Sequence, residues 1–321
     1  MHIDSIYGMN IQQLEYIIAV DRLKNFSKAA DICFVTQATL SAMVKKLEEE
    51  LDVVIFDRKT SPVITTDEGR VLLEHAHKVL VQIEQLHEAI NASKKKLEGK
   101  LKLGIIPTVA SALLPIIIKP ILEKFPKLRL DIRELTTQDI IDNLKMGMLD
   151  VGIAATPLKR NDEIEASILY YESMMVFGAH DNEEQFIQPE EIQGEIVWLL
   201  EEGHCFRDQA IKVCNLRKKS SLPKNLNFEA NSFETLVNLA EEFGGITLIP
   251  ELYYHKMSEA RKMKTATFKI PVPVREISMI YYRPYAKLSA VEKLGDEIKD
   301  RIAGKLAAGN YKSHELSIMG I

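Results

Sequence analysis

Apolar residues recur at heptad-like spacing over a long stretch in the first third of this 321-residue chain. The seam consists of Leu72, Ala76, Val79, Ile83, Leu86 and Ile90, at alternating intervals of four and three residues. A helix from Thr66 to about Lys96 would be roughly 45 Å long, and in a monomer its seam would face water. We therefore expect this helix to pair two copies of the chain. Packing against the chain's own second domain is the alternative.

The segment before the seam has the pattern of a winged helix-turn-helix. Apolar spacing over 11–18 predicts a first helix, and 26–30 reads as a short second helix with Ser27 as its N-cap. Thr36 can cap a third helix with a regular apolar stripe. Two short apolar stretches within 54–64 then flank a basic turn, as they do in a wing.

A helix-turn-helix inserts the N-terminal end of its second motif helix into the major groove. Hydroxyl, amide and charged side chains near that end, or on the wing, can contact base edges and phosphates. The candidates are Ser27, Lys28, Thr36, Gln37, Thr39, Ser41, Lys45, Arg58 and Lys59. Residues 1–65 carry seven basic and nine acidic side chains, so binding must depend on where the basic groups lie. On spacing alone, a three-helix packing unit with solvated faces fits equally well.

The motifs of this segment resemble those of the LysR-type transcriptional regulators. The matching stretches are FSKAA at 26–30, TQATLS at 36–41, LE at 47–48, FDR at 56–58 and TTDEG at 65–69. Ala38 stands where that family usually has proline, and Asp52 where a turn glycine is usual. The resemblance implies double-stranded DNA with two-fold symmetric half-sites as the partner, with RNA polymerase as a further one.

Strand and helix signals alternate from residue 101 onward. The predicted strands are 101–105, 128–132, 151–154, 174–177, 196–200, 227–230, 246–249 and 277–282, and the predicted helices are 113–125, 137–146 and 290–302. This alternation predicts parallel βαβ units. Two α/β lobes with a cleft between them resemble the bilobal, periplasmic-binding-protein-like effector domain of LysR-type regulators.

These patterns predict the domain organisation of the chain. We expect a winged helix-turn-helix DNA-binding domain at 1–65, a linker and dimerisation helix at 66–98, and an effector domain at 99–310. Lobe I of the effector domain would comprise about 99–172 and 277–310, and lobe II about 173–276. Residues 311–321 carry no clear signal and are expected to form a mobile tail.

Two cysteines at the ends of one predicted helix carry the strongest chemical signal. Cys205 falls at or near the helix N-terminus, where the macrodipole favours a thiolate. The side chains of His204 and Arg207 also favour the thiolate, whereas two neighbouring glutamates disfavour it. In an unbroken helix Cys214 would lie about 13.5 Å away along the axis and face the opposite side. A disulfide needs Cα atoms roughly 4.4–6.8 Å apart, so pairing would require unwinding. Two inert buried thiols remain the alternative.

The sequence around these cysteines is similar to that of the peroxide-sensing members of the LysR family. The similarity rests on GHCFRDQA at 203–210 with Cys214, and on stretches at 106–109, 114–115, 125–128, 232–236 and 282–284. It implies that Cys205 is the peroxidatic cysteine and Cys214 the resolving one. It also implies that Thr108 and Thr137 contact peroxide, and that His204, Arg207 and Asp208 surround the thiolate. Cys33 matches no such role, and we expect it to be a core thiol.

The resemblance implies a redox switch that activates antioxidant genes. Hydrogen peroxide would oxidise Cys205 to a sulfenic acid, and condensation with Cys214 would give a disulfide. Cellular thiol reductants would reverse the reaction, and the working assembly would be a homodimer or homotetramer. A LysR-type regulator that binds a small metabolite in the interlobe cleft is the first alternative. A thiol peroxidase enzyme is the second, and the DNA-binding head argues against it.

Composition excludes several other classes of protein. With 46% hydrophobic and 27% charged residues, collagen-like, disordered and disulfide-scaffold chains are excluded. The most apolar stretch, 112–122, is interrupted by Pro115, Lys119 and Pro120 and is shorter than the roughly 20 residues of a membrane span. No signal peptide pattern opens the sequence. We therefore expect a cytoplasmic protein, nucleoid-associated when bound to DNA, with no membrane partner.

The cysteine and histidine patterns predict neither a metal site nor a cofactor. Three cysteines, a small and odd number, indicate reduced thiols rather than a disulfide framework. His75, His77 and His87 lie on the seam helix, but residues two apart do not share a helix face.

Overall fold

A computed structural model describes residues 9–91, 98–158, 163–178, 186–192, 195–214, 228, 230–282 and 288–320. The chain divides into two compact units, Met1–Lys94 and Lys95–Ile321. The division falls within the predicted linker segment 66–98, near the expected end of the pairing helix.

The first unit is a winged helix-turn-helix, as predicted. Its elements are α1 (Ile11–Leu23), α2 (Phe26–Ile32), α3 (Gln37–Leu51), β1 (Phe56–Asp57), β2 (Ile64–Thr65) and α4 (Asp67–Asn91). Strands β1 and β2 pair antiparallel, with Phe56 opposite Thr65. Apolar side chains of the first three helices share one core, in which Ile17, Leu40 and Leu47 are fully buried.

The ends of these helices are fixed by local hydrogen bonds. Thr36 caps α3 as predicted, because its hydroxyl accepts from the backbone N–H of Thr39. Ser27 is not the N-cap of α2; Asn25 holds that position, because the helix already begins at Phe26. Asp52 ends α3 with a φ of 53°, a left-handed conformation that glycine adopts without steric cost. The glycine that is usual here in LysR-type regulators has this conformational explanation.

Helix α4 begins after Thr66, whose hydroxyl caps it, and is described as far as Asn91. The last turns of the predicted helix lie outside the described residues. Ala76 is buried in the core of the first unit, whereas Val79 and Leu86 are 43% and 64% exposed. An exposed apolar stripe on one helix is the surface that a helical pair requires.

The second unit alternates strands and helices. Its elements are β3 (Gly99–Ile105), α5 (Pro107–Lys124), β4 (Leu128–Glu134), α6 (Thr137–Lys145), β5 (Val151–Thr156), β6 (Ile164–Phe177), β7 (Phe186–Ile187), β8 (Val197–Trp198), α7 (Cys205–Val213), α8 (Phe233–Phe243), β9 (Ile246–Pro250), α9 (Glu251–Tyr254), α10 (Glu259–Lys262), β10 (Thr265–Phe268), β11 (Val272–Tyr282), α11 (Leu288–Ile302) and β12 (Leu316–Ile318).

The sheet of this unit is parallel at one end and mixed elsewhere. Strand β3 pairs in parallel with β4 on one side and β5 on the other, so β3–α5–β4 and β4–α6–β5 are the predicted βαβ units. Strand β11 runs antiparallel to β5 and to β6. Strand β6 then continues antiparallel to β9 and β10.

Two hydrophobic cores lie along this sheet. The first contains Ile105 and Ile277, and the second contains Phe177 and Trp198. Strand β6 belongs to both, because its Leu169 lies in the first core and its last four residues lie in the second. This arrangement is the two-lobed α/β domain that the alternation predicted.

Some predicted element bounds are wrong. Helix α5 begins at Pro107 rather than residue 113, because proline suits the first helical position, where its missing N–H has no intrahelical role. Strand β8 is limited to two residues of the predicted 196–200. Of the predicted strand at 227–230, Phe228 and Ala230 lie in no strand, and the other two residues lie outside the described ones.

The expectation of a mobile tail is also wrong for the described residues 311–320. Strand β12 pairs in parallel with β11, Leu316 opposite Val272. Tyr311 and Leu316 pack against a small cluster that includes Val274 and Ala308. A strand of three residues is too short to produce a recognisable periodicity, which explains why the sequence pattern did not reveal it.

Candidate functional site

Three helix N-termini carry the predicted reactive residues of the second unit. Helix α5 follows β3 and begins with Pro107 and Thr108, whereas α6 follows the neighbouring strand β4 and begins with Thr137. Helix α7 begins with Cys205. In α/β sheets the carboxyl ends of adjacent parallel strands are where ligands bind.

Cys205 lies against the start of a second helix. Its Sγ is 3.1 Å from Oγ1 of Thr137, the first residue of α6. The thiol is half-buried. The N-cap of α7, His204, makes no side-chain capping hydrogen bond, and of the first-turn amides that of Arg207 donates to the His204 carbonyl at 2.9 Å, so those of Cys205 and Phe206 keep their hydrogen-bonding capacity. The sulfur therefore lies near the positive ends of two helix dipoles, a position that stabilises an anion.

Cys214 lies at the other end of the same helix in a different environment. It is the C-cap of α7 and is fully buried in the second core. The helix is continuous over the nine residues from Cys205 to Val213, so the predicted opposite orientation and separation of about 13.5 Å apply. All three cysteines are free thiols in this state of the protein.

Burial raises the pKa of the Cys214 thiol to about 12, from an ordinary value of 9.0. Since only the thiolate reacts with alkylating agents, native reduced protein should label at Cys214 about a thousandfold more slowly near pH 8 than a thiol of ordinary pKa. Mass spectrometry of iodoacetamide-treated protein measures this rate. In urea all three cysteines should label at similar rates. Equal native labelling of Cys205 and Cys214 would contradict the assignment of Cys214 to the core.

The charged residues around Cys205 have defined partners. Nε2 of His204 lies 3.2 Å from Oδ1 of Asn231 and 3.7 Å from Oε1 of Glu201. Arg207 donates to the backbone carbonyl of Leu200 at 2.7 Å. Asp208 lies exposed in the first turn of α7. His204 and Arg207 thus tie the start of α7 to the segments before and after it.

A buried ion pair that the sequence did not predict lies next to Thr108. Arg275, on β11, is 1% exposed and donates from Nε to Oε1 of Glu172 at 2.7 Å. Its other two nitrogens donate to Oγ1 and to the backbone carbonyl of Thr108, at 3.1 and 3.0 Å. The side chains of Arg275 and Glu172 are both as buried as the side chains of the apolar core. No local sequence pattern marked them, because the two partners are 103 residues apart in the chain.

Arg275 also connects this ion pair to the reactive helix. Its guanidinium lies 5.1 Å from the ring centroid of Phe206, the residue after Cys205. The same ring packs edge-on against Phe233 at 5.0 Å between centroids. The first turn of α7 is therefore anchored by a cation–π contact and an aromatic pair, and Thr108 is held against the same arginine.

The candidate DNA-contacting residues lie on α2, on α3 with its N-cap, and on the wing. The hydroxyl of Ser27 donates to Oε1 of Gln37 at 2.7 Å, which joins α2 to α3. Thr36 and Thr39 hydrogen-bond to each other at 2.9 Å. Arg58 of the wing donates to Ser41 and Glu48 and lies over the ring of Phe26. These five pairings hold the two motif helices and the wing in a fixed arrangement.

The basic residues of this surface differ in their partners. Lys45 pairs with Glu49 at 3.2 Å on the exposed side of α3, and Lys46 pairs with Glu50 at 3.6 Å. Such exposed pairs contribute little energy, so both lysines can exchange their partner for a phosphate. Within the part of the chain that the structure describes, Lys28 and Lys59 form no ion pair.

No described helix combines the length and the apolar character that crossing a bilayer requires. No group of three or more histidine, cysteine, aspartate or glutamate side chains among the described residues is placed to hold a metal ion.

Both units match known protein families. Residues 11–70 match the family described as bacterial regulatory helix-turn-helix protein, lysR family. Residues 94–303 match the family described as LysR substrate binding domain.

Curated relatives are similar over nearly the whole chain. The hydrogen peroxide-inducible genes activator of Haemophilus influenzae is 32% identical over 297 residues, which cover 92% of this chain and 97% of that protein. The DNA-binding transcriptional dual regulator OxyR of Escherichia coli is 33% identical, with the same two coverages.

Solved structures of similar proteins extend the comparison. Full-length OxyR from Pseudomonas aeruginosa, with a cysteine-to-aspartate substitution, superposes with a TM-score of 0.76 at 31% identity, covering 91% of this chain and 98% of that one. A cysteine-to-serine mutant of Corynebacterium glutamicum OxyR, with hydrogen peroxide bound, superposes with a TM-score of 0.60 at 26% identity, covering 95% and 96%.

Proposed function

Because this chain belongs to the LysR family of bacterial transcriptional regulators, we propose that it senses hydrogen peroxide at Cys205 and answers by changing how it binds DNA. The names of its relatives support this function, since one is an activator of hydrogen peroxide-inducible genes and another is the DNA-binding transcriptional dual regulator OxyR. The contact between Cys205 and Thr137, at the junction of two helix N-termini, is the observation that carries the proposal.

The first step is oxidation of Cys205. Its thiolate attacks one peroxide oxygen, the O–O bond breaks, and the other oxygen leaves as hydroxide that takes up a proton to become water. The sulfur becomes a sulfenic acid. Thr137 and the first-turn amides of α7 can donate to the charge that develops on the leaving oxygen. Oγ1 of Thr108 accepts a hydrogen bond from Arg275, so the threonine hydroxyl proton remains available for donation to the peroxide.

The second step joins Cys205 to Cys214. The sulfur of Cys214 displaces hydroxide from the sulfenic acid, and the products are a disulfide and water. Because the cysteines lie at opposite ends and on opposite sides of α7, this step unwinds the helix. Two equivalents of a cellular thiol then reduce the disulfide and restore the helix.

The DNA-binding unit supplies the output of this switch. Helix α3 presents Gln37, Thr39 and Ser41 to base edges, and Lys28, Lys45 and Lys59 serve phosphates. Arg58 stabilises the wing through Glu48 and reaches a phosphate only by giving up that bond. Pairing through the exposed stripe of α4 gives a homodimer with two heads, and contacts between effector domains give a homotetramer.

The chain belongs to a family of transcriptional regulators, and its proposed function does not require catalytic turnover of peroxide. One oxidation per site is sufficient to change its state. RNA polymerase contact and association with the nucleoid follow from action at promoters.

The disulfide is tested by peptide mapping under nonreducing conditions. After a brief peroxide pulse, we expect one new cross-linked pair that joins the peptide of Cys205 to that of Cys214, and its loss after treatment with a thiol. Cys33, whose pKa is raised by burial and by Glu15, serves as the internal control and should remain unpaired. Pulsed protein in which Cys205 and Cys214 both remain reduced would overturn the proposal.

A further inference from the structure

The C-terminal segment 316–320 forms an additional contact with the sheet that the proposed function does not use. Strand β12 lies in parallel against residues 272–274 of β11. The backbone N–H of Met319 donates to the carbonyl of Val274 at 2.8 Å. Leu316 packs with the cluster around Val274, whereas Met319 packs against the second core.

Two side chains of α7 hold the same segment from the other side. Nε2 of Gln209 donates to the carbonyl of Met319 at 2.8 Å, and Nζ of Lys212 donates to the carbonyl of Gly320 at 3.1 Å. Gln209 is fully buried, and its Oε1 has no hydrogen-bond partner among the described residues. The bond to Met319 is therefore the hydrogen bond that the Gln209 side-chain amide makes within the described residues. Losing a buried hydrogen bond of this kind is costly in free energy.

These two residues share a helical face with the reactive cysteine. Gln209 and Lys212 follow Cys205 by four and seven residues, and such positions lie above one another on an α-helix. They can occupy these places only while the helix between them is intact. Moving Cys205 and Cys214 to disulfide distance destroys that helix, so both contacts to the segment are lost together.

We propose that segment 316–320 is a strand that docks on β11 in the reduced protein and is released when the disulfide forms. The inference rests on the proposed function, since peroxide is the oxidant: one peroxide and two cysteine thiols give one disulfide and two waters, with the electrons passing from sulfur to oxygen. Release frees the backbone groups of β11 at residues 272–274, which becomes an open sheet edge.

Linkage makes the effect reciprocal. If oxidation releases the segment, then docking of the segment must favour the reduced state by the same factor. Docking of the C-terminal segment therefore shifts the equilibrium between the dithiol and the disulfide towards the dithiol.

Hydrogen–deuterium exchange of the full-length protein tests the release directly. In the peptide that covers residues 312–320, the amide of Met319 and its neighbours in β12 should exchange slowly in the reduced protein. They should exchange at least tenfold faster after peroxide treatment, because the released segment no longer donates to acceptors on β11. The same sample is mapped for the disulfide. A mapped disulfide with unchanged exchange would overturn this inference alone, whereas absence of the disulfide would overturn the proposed function and this inference with it.

The reciprocal effect is tested by equilibration with mixtures of oxidised and reduced glutathione. A chain that ends at Glu315 should favour the disulfide about tenfold more than the full chain, and Lys212→Met about two- to threefold more. Lys299→Met, an exposed lysine on α11, is the matched control and should not shift the equilibrium. If the shortened chain does not fold, Lys212→Met carries the test. Equal equilibria for the full chain and Lys212→Met would contradict the coupling.

Discussion

A Cys205→Ser variant is expected to leave the same footprint on promoter DNA before and after a pulse of hydrogen peroxide. Serine keeps the N-terminal position on α7 and the hydrogen bond to Thr137, but it cannot form the thiolate that attacks peroxide. The unmodified chain under the same pulse should change its footprint and should regain the original one after thiol treatment. DNase footprinting on a fragment selected by the reduced protein measures both.

Cys214→Ser is the matched comparison. Cys205 then has no thiol to condense with, so its sulfenic acid should persist or oxidise further. Intact-mass spectrometry after the pulse should show addition of oxygen without a cross-link. A Cys205→Ser footprint that still changes after peroxide treatment would place the sensing group elsewhere and would contradict the assignment of Cys205 as the sensor.

The second large effect is expected at the buried ion pair. Arg275→Met leaves the Glu172 carboxylate in the core without its charged partner, and breaking a buried pair in this way costs about 3–5 kcal/mol. Urea unfolding followed by tryptophan fluorescence measures the loss, since Trp198 is the single tryptophan and lies in the second core. The double variant Glu172→Gln/Arg275→Met, which removes both charges, should recover part of it.

The pH dependence of this deficit has a defined sign. Burial raises the pKa of Glu172, and Arg275 acts in the opposite direction, so its removal raises that pKa further. A carboxyl with a raised folded-state pKa supports folding below its unfolded pKa of 4.5 and loses that contribution as the pH rises. The Arg275→Met deficit should therefore be smaller near about pH 5 than near about pH 8.

Arg301→Met is the control for the ion pair. Arg301 also pairs with a buried carboxylate, that of Glu297, but Lys124 contacts the same carboxylate and remains after the substitution. We expect a loss within about 1 kcal/mol. Equal losses of unfolding free energy in Arg275→Met and Arg301→Met would mean that the unpaired, buried carboxylate of Glu172 is not the cause of the destabilisation.

The sequence revealed the features that repeat or stand at fixed spacing. Helix α3 could be predicted from the spacing of Leu40 and Leu47 and from the capping residue Thr36, because helical periodicity and capping are local properties. Cys205 and Cys214 were placed correctly at the two ends of one helix for the same reason. The strand–helix alternation likewise predicted the parallel units around β3.

The sequence could not reveal contacts that depend on tertiary structure. Arg275 meets Thr108 and Glu172 from positions more than 100 residues away in the chain, and nothing local marks such a partner. Ser27 was expected to cap α2, but Asn25 starts that helix earlier and leaves Ser27 free to bind Gln37. Strand β12 depends on β11 for its definition, and its three residues carry no pattern of their own.

The long strand β6 has a mechanical consequence for signalling. It passes from the first core to the second as one strand, paired with β11 up to Ser173, with one register shift at Leu169, and with β9 from Met174 onward. Hinge-bending proteins place their backbone rotation in a few loop residues, whereas bending here would break ladder hydrogen bonds on adjacent strands. We therefore expect the frame to resist lobe closure, so that the free energy of the proposed Cys205–Cys214 bond would act on the residues that touch α7.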